Sequence, residues 1–246
     1  MWFGLITLFP EMLAVLNSGI TGRALNRQLI QISSWNPRDF TTDKHKTVDD
    51  RPYGGGPGMV MLAEPILAAI NAAKQVAPCH AKVIYLSPQG KRFNQKAAVN
   101  FYQQQQPLIF LAGRYEGIDE RIIQESLAEE WSVGDFIVSG GELPALLMID
   151  AITRQIPGVV NTEESISADS LAQGLLKYPQ YTRPEVIKNL KVPDILLSGN
   201  HQAIEKWRLK ASLGRTWLRR PDLLAKKTLT EEEKRLLNEF IQEYLQ

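Results

Sequence analysis

The sequence predicts an α/β fold with a mostly parallel sheet, followed by a small helical C-terminal domain. Three observations predict it. Short apolar runs alternate with helix-like segments over the first 160 residues, the pattern of strands joined by crossover helices. Three apolar runs break into glycine loops: 81–86 into Ser87-Pro88-Gln89-Gly90, 108–112 into Gly113-Arg114-Tyr115-Glu116-Gly117, and Phe136-Ile137-Val138 into Ser139-Gly140-Gly141. Beyond a small, polar, acidic stretch the remaining chain shows helical spacing and helix caps.

Taken in order, residues 2–8 read as a short buried strand, and Pro10 opens a helix, since proline is tolerated in a first turn. Residues 22–26 begin a second short helix and 29–33 return as a strand. Residues 36–58 read as a long loop rich in Pro, Gly, Asp, Lys and Arg, a length usually reserved for function or disorder. A helix at 64–76 precedes the strand at 82–86. The stretch from Ser132 to Pro144 reads as a strand end and glycine loop that opens a helix at Glu142 and ends it near Arg154. Residues 200–213 carry Ile204, Trp207, Arg208 and Ser212 at helical spacing, and Thr230 caps a last helix begun by three glutamates. The expected domains are 1–160, a linker at 161–174, and 175–246.

Composition narrows the function classes. The chain is 44% hydrophobic and 22% charged, an ordinary globular mixture. A formal charge of +1 gives no global polyanion signature, so a nucleic-acid site has to come from local clustering. One cysteine, Cys79, excludes an intramolecular disulfide, and His45, His80 and His201 are too scattered for a metal-ligand spacing. The first ten residues lack a basic leader, and no apolar stretch approaches the roughly 20 residues that span a bilayer. The expectation is a soluble, cytoplasmic protein with no membrane partner.

The three loops together suggest one ligand pocket, because ligands of open α/β sheets bind beyond the carboxyl ends of the strands. Their pattern is neither the G-x-G-x-x-G fingerprint nor a P-loop. The runs YLSPQG, GRYEGIDER, VGDFIVSGGELPA, RPYGGGPGM and YTRPEV resemble those of the bacterial tRNA (guanine-N1)-methyltransferases, the TrmD family of the trefoil-knot (SPOUT) class. The resemblance covers essentially the whole chain. It implies a deep trefoil knot threaded near residues 109 to 141, which no sequence rule anticipates. It also implies S-adenosylmethionine as methyl donor, the tRNA anticodon stem-loop as partner, and a homodimer. The activity it implies is methylation of N1 of guanosine 37, just 3′ of the anticodon. The family is associated with magnesium, but no ligand cluster here identifies a site.

Guanine N1 carries a proton and is a poor nucleophile until that proton leaves. The reaction calls for a general base near N1 and a cation near the guanine oxygen. On the residues alone, Asp169 reads as a helix cap before Ser170, and Arg154 as a dipole partner in a last turn. The resemblance assigns Asp169 as the base and Arg154 as the stabiliser of the guanine oxygen. Where related sequences often carry a second acid this chain has Gln173. The expected cofactor residues are Leu86, Ser87, Pro88, Gly113, Tyr115, Glu116, Ser132, Val133, Gly134, Asp135, Phe136, Ile137, Val138, Gly140 and Gly141. For Glu116 the competing reading is an ion pair with Arg114 or Arg121.

RNA contacts are expected from the loop at 44–58 and from Lys206, Arg208, Lys210, Arg215, Arg219 and Arg220, interleaved with Trp207 and Trp217. The competing reading is a solvated helix face over core tryptophans. Two other functions stay open. A knotted methyltransferase of another base or of ribose is one, although ribose chemistry leaves Asp169 without a role. An RNA-binding protein without catalysis is the other.

Overall fold

The computed structural model describes residues 1–126, 129–160, 170–171 and 174–245. It divides into two compact units, Met1–Asn161 and Thr162–Gln246.

The first unit is built on a five-stranded parallel sheet. Its strands are β1 (Trp2–Ile6), β2 (Gln31–Trp35), β5 (Lys82–Arg92), β6 (Leu108–Leu111) and β7 (Glu129–Ser132), in the order β2-β1-β6-β5-β7. Every pairing is parallel. The inner strands are buried on both faces, so they read as continuous apolar runs. Their side chains still alternate between two cores. Phe3, Leu5, Ile84, Leu86, Leu108 and Phe110 meet helices α1 (Gly19–Asn26), α3 (Gln95–Gln104) and α5 (Glu142–Thr153). Trp2, Ile6, Val83, Tyr85, Ile109 and Leu111 meet α2 (Ala63–Val76) and α4 (Glu120–Ser126). The result is three layers, with the sheet between two helical faces.

Several expectations shift. The helix opened by Pro10 is a 3₁₀ helix, Pro10–Asn17. Strand β2 begins at Gln31 because the amides of Leu29 and Ile30 both bond to the Ala24 carbonyl and finish the turn out of α1. The long loop at 36–58 contains a 3₁₀ turn, Pro37–Phe40, and a two-residue strand β3 (Asp49–Asp50) antiparallel to β4 (Val60–Met61). The strand expected to end at Phe136-Ile137-Val138 is instead β7, which stops at Ser132, while Phe136 and Ile137 are 57% and 82% exposed. The physical reason is that β7 is an edge strand of sequence Glu-Glu-Trp-Ser, which shows no apolar run, whereas the apolar run beside it lies on the surface.

The second unit holds α6 (His201–Arg219), α7 (Pro221–Leu224) and α8 (Glu231–Leu245) around Leu175, Leu213 and Leu236. It is not wholly helical. Strands β8 (Val186–Ile187) and β9 (Leu190–Lys191) form a hairpin whose two turn residues, Lys188 and Asn189, both have positive φ, as a tight two-residue turn demands. Thr230 and Glu233 cap each other's backbone amides at the start of α8.

Gly214 of α6 faces the Phe240 ring of α8, where an added Cβ would lie 2.4 Å from ring atoms. Alanine would favour the helix by about 1 kcal/mol, but overpacking costs about 1–3 kcal/mol. Gly214→Ala is expected to lower the unfolding midpoint of this unit in chemical denaturation. An unchanged or raised midpoint would show that Phe240 has room to move.

Candidate active site

Beyond the carboxyl ends of β5, β6 and β7, three loops enclose a cavity of about 280 Å³. The first loop is an excursion within β5. Leu86 and Lys91 both pair with Trp131, so residues 87–90 bulge out between them. Gly90 makes this possible, since a Cβ there would sit 2.3 Å from the Trp131 amide nitrogen. The second loop follows β6 and is tied to the segment before α2. Glu116 N–H donates to the Met59 carbonyl, Met61 N–H to Gly117, and Asp119 N–H to Met61, at 2.9–3.1 Å. The third loop follows β7 and closes on the second, where Gly141 N–H donates to the Gly113 carbonyl at 2.9 Å.

A buried carboxylate locks these loops. Glu142, in the first turn of α5, is fully buried. It accepts a hydrogen bond from the Thr7 hydroxyl at 2.9 Å and one from Arg114 Nε at 2.9 Å. The same guanidinium donates to the Ser139 carbonyl at 3.2 Å and lies 4.4 Å from the centre of the Phe9 ring. Arg114 therefore holds the third loop against the second.

Among the expected residues, Leu86, Ser87, Pro88, Gly113, Tyr115, Glu116, Ser132, Val133, Gly134, Phe136, Ile137, Val138, Gly140 and Gly141 all line this one cavity. Asp135 does not. Its carboxylate is 2.9 Å from Arg92 Nη1 and exposed, so the ion pair holds it in solvent outside the wall. The close approach made by Gly141 is to protein, since an added Cβ would sit 2.7 Å from Ala112 Cα. Neither arginine pairs with Glu116 among the described residues: Arg114 binds Glu142 and Arg121 binds Asp119, whose carboxyl is held down at about 2 by hydrogen bonds from Arg121. Glu116 instead leans on Gly58, where φ is +81° and a Cβ would strike its carboxylate.

Arg154 caps the other end of α5, about 18 Å along the helix axis at 1.5 Å per residue, and does not line the cavity. Asp169 lies outside the described residues. Sequence reasoning missed Tyr85, Gln89, Arg114, Gly117, Trp131, Ser139 and Pro144 in the wall. All of these except Trp131 sat within the quoted runs, so their neighbours were the signal. The Tyr85 hydroxyl is pushed above the usual phenol range by burial and by the nearby Glu130 charge.

On α6, the cationic set is only partly available. Lys210 is held by Glu243 and Glu239, Arg208 by Glu205, and Arg220 by Asp222. Trp217 packs edge-on against Tyr244. Among the described residues no group of three or more His, Cys, Asp or Glu could hold a metal ion, and no helix is long and apolar enough to cross a membrane.

A parallel sheet with a cavity beyond its carboxyl ends defines an α/β protein with a candidate small-ligand site at that edge. The sequence places it further. Residues 1–226 match the family described as tRNA (Guanine-1)-methyltransferase TrmD, and the chain belongs to that family. It is 59% identical over 247 residues to the tRNA (guanine-N(1)-)-methyltransferase of Escherichia fergusonii, covering 100% of this chain and 96% of that protein. The proteins of the same description from Escherichia coli K12 and Shigella boydii serotype 18 match it at the same identity and coverage.

The lock on the loops is testable. Arg114→Ala leaves the Glu142 carboxylate buried without its cation, a lesion that costs about 3–5 kcal/mol. Urea denaturation should show that loss, and Arg114→Ala/Glu142→Gln should recover part of it, because an amide needs no counter-charge. A loss under about 1 kcal/mol in the single variant, the range of a surface pair, would show that the pair does not hold the loops.

Proposed function

We infer that this protein transfers a methyl group from S-adenosylmethionine to N1 of guanosine 37 of tRNA, just 3′ of the anticodon. The observation that carries the reading is the single cavity formed by three glycine loops in a chain of this family. The cavity suits the donor chemically. Leu86, Phe136 and Ile137 offer apolar surface for a purine, the loop backbones offer hydrogen-bonding groups, and Glu116 offers a carboxylate for a cationic head. Bound there, the cofactor supplies an electrophilic methyl group, already activated by its sulfonium. The trefoil knot belongs to this reading. It is supported by the family and by the packing of the third loop onto the second, where Gly141 meets Ala112.

The chain's own residues handle the proton. Asp169 takes it from guanine N1, and Arg154 opposes the negative charge that then develops on the guanine oxygen. One chain does not bring Arg154 to its own cavity, because α5 separates them. A second copy resolves this. Leu143 and Leu147 lie exposed on one face of α5, and Asp150 and Arg154 continue that face at helical spacing. An isologous homodimer packed along this face buries the leucines and carries the arginine into a site that neither chain completes alone. The protein acts in the cytoplasm on the anticodon stem-loop, with the helical unit as its main RNA-holding part. No described residue is assigned to magnesium.

Methyl transfer from labelled cofactor to unmodified tRNA, followed by mapping of the product, should place the label on N1 of guanosine 37; label elsewhere overturns the reading. Asp169→Asn should bind cofactor and tRNA nearly normally yet lose roughly 10²- to 10⁴-fold in single-turnover rate, the range of general acid–base catalysis. A variant within a few-fold of the parent would return Asp169 to a capping role.

Leu147 is 49% exposed, so Leu147→Glu costs an isolated chain little but places a charge in the dimer contact. The parent should sediment as a dimer and the variant as a monomer that has lost methyl transfer. A monomeric parent, or a variant that stays dimeric and active, counts against the shared site.

A further inference from the structure

The second unit contains a cavity of its own, about 640 Å³, between residues 178–185, the 3₁₀ turn Asp194–Leu197 and the first half of α6. Its wall combines aromatic faces and cations. Tyr181 and Trp207 sit with ring centres 6.4 Å apart and tilted at 51°, and Tyr181 is 48% exposed. The Arg208 guanidinium lies 5.0 Å from the centre of the Tyr178 ring. Arg208 Nε is buried without a hydrogen-bond partner among the described residues, which leaves a donor unused beside the cavity. Arg183, also in the wall, is exposed and has no ion-pair partner among the described residues.

Charge points to the occupant. Residues 171–230 hold twelve Lys and Arg against four Asp and Glu, an excess of +8 in a chain whose total is +1. Glu233, Glu239 and Glu243 of the same unit pair with Lys227 and Lys210, so the charge left to meet a polyanion at this cavity is that of Arg183. A hydrophobic peptide has no need of that field. An exposed tyrosine against a partly buried tryptophan, beside arginines, is instead the arrangement that holds an unstacked base, with its π-face on a ring and its phosphate on the guanidinium.

We propose that this cavity takes an unpaired nucleobase of the RNA substrate, one distinct from the methylated guanine. The base stacks against Tyr181 and Trp207, and Arg183 meets the adjoining phosphate. The cavity therefore reads whether the RNA offers a loose base at that point, which paired RNA does not. This rests on tRNA being the substrate, and the two ideas fail in different ways.

The test compares the parent with Tyr181→Ala and Tyr181→Phe. Tyr181 is half-exposed, so its removal leaves the core of the unit intact. Affinity is measured for unmodified tRNA, for a fully paired RNA duplex, and for S-adenosylmethionine. Tyr181→Ala should lose roughly tenfold in tRNA affinity, within the span of base–aromatic stacking, with duplex and cofactor affinities unchanged. Tyr181→Phe keeps the π-face and should bind tRNA within about twofold of the parent. Tyr181→Ala binding tRNA as tightly as the parent overturns the proposal, and so does an equal loss toward the duplex, which marks a backbone contact. Conversion of a dimeric parent to a monomer by Tyr181→Ala, without RNA, overturns it in favour of a second copy of this chain as occupant. A parent that itself binds tRNA no better than the duplex removes the substrate reading, and that failure is visible before any variant is made.

Discussion

One buried carboxylate organises the first unit. Glu142 begins α5, where the positive end of the helix dipole favours a negative charge. Its two oxygens are then divided between Thr7, at the end of β1, and Arg114, in the loop after β6. Arg114 spends its remaining donors on Ser139, in the loop after β7, and its face on Phe9. Three segments far apart in sequence, at residues 7–9, 114 and 139–142, therefore meet on a single ion pair whose acidic partner is wholly buried. Such a pair contributes little net stability, since desolvation offsets most of the Coulomb gain. Its value here is geometric. An apolar substitute could fill the same volume, but it would not fix which loop faces which at the cavity wall.

The loops themselves were legible because their glycines interrupt apolar runs, and that contrast is visible in one dimension. The alternation of strands and helices gave the parallel sheet for the same reason. Strand β7 was not legible, because an edge strand needs only one apolar face and its Glu-Glu-Trp-Ser shows none. The surface run at 136–138 took its place in the reading. Arg114 was also hidden. The sequence offers Glu116, two residues on, as its partner, and nothing local reveals that the partner is Glu142, 28 residues later. Long-range pairing of this kind is the part of a site that sequence pattern does not encode, whereas the family resemblance carries it silently.

The glycines of the cavity wall serve the packing of the loops. Gly141 lines the cavity, and the α-hydrogen that a side chain would replace faces Ala112 Cα. Gly113 sits equally close to the Tyr85 ring, 2.9 Å from where a Cβ would lie. Both residues let backbone pack on backbone or ring, and the cavity exists because the loops can approach one another this closely. Gly58 is different. Its φ of +81° demands glycine whatever the space.

The division of the chain follows from what each part must hold. The first unit is rigid where it needs to be, with strands buried on both faces and loops tied by backbone hydrogen bonds, which suits a small ligand gripped largely through backbone groups. The second unit has a far smaller core, only three fully buried apolar side chains among the described residues, and concentrates its cations and exposed rings instead. Its task, on the reading argued above, is to hold a large polyanion through many weak contacts, and these tolerate adjustment where a reacting atom does not. The exposed face of α5 then links the two demands. It leaves Arg154 a helix length from the cavity of its own chain, so on the reading proposed above the first unit completes its site only with a second copy.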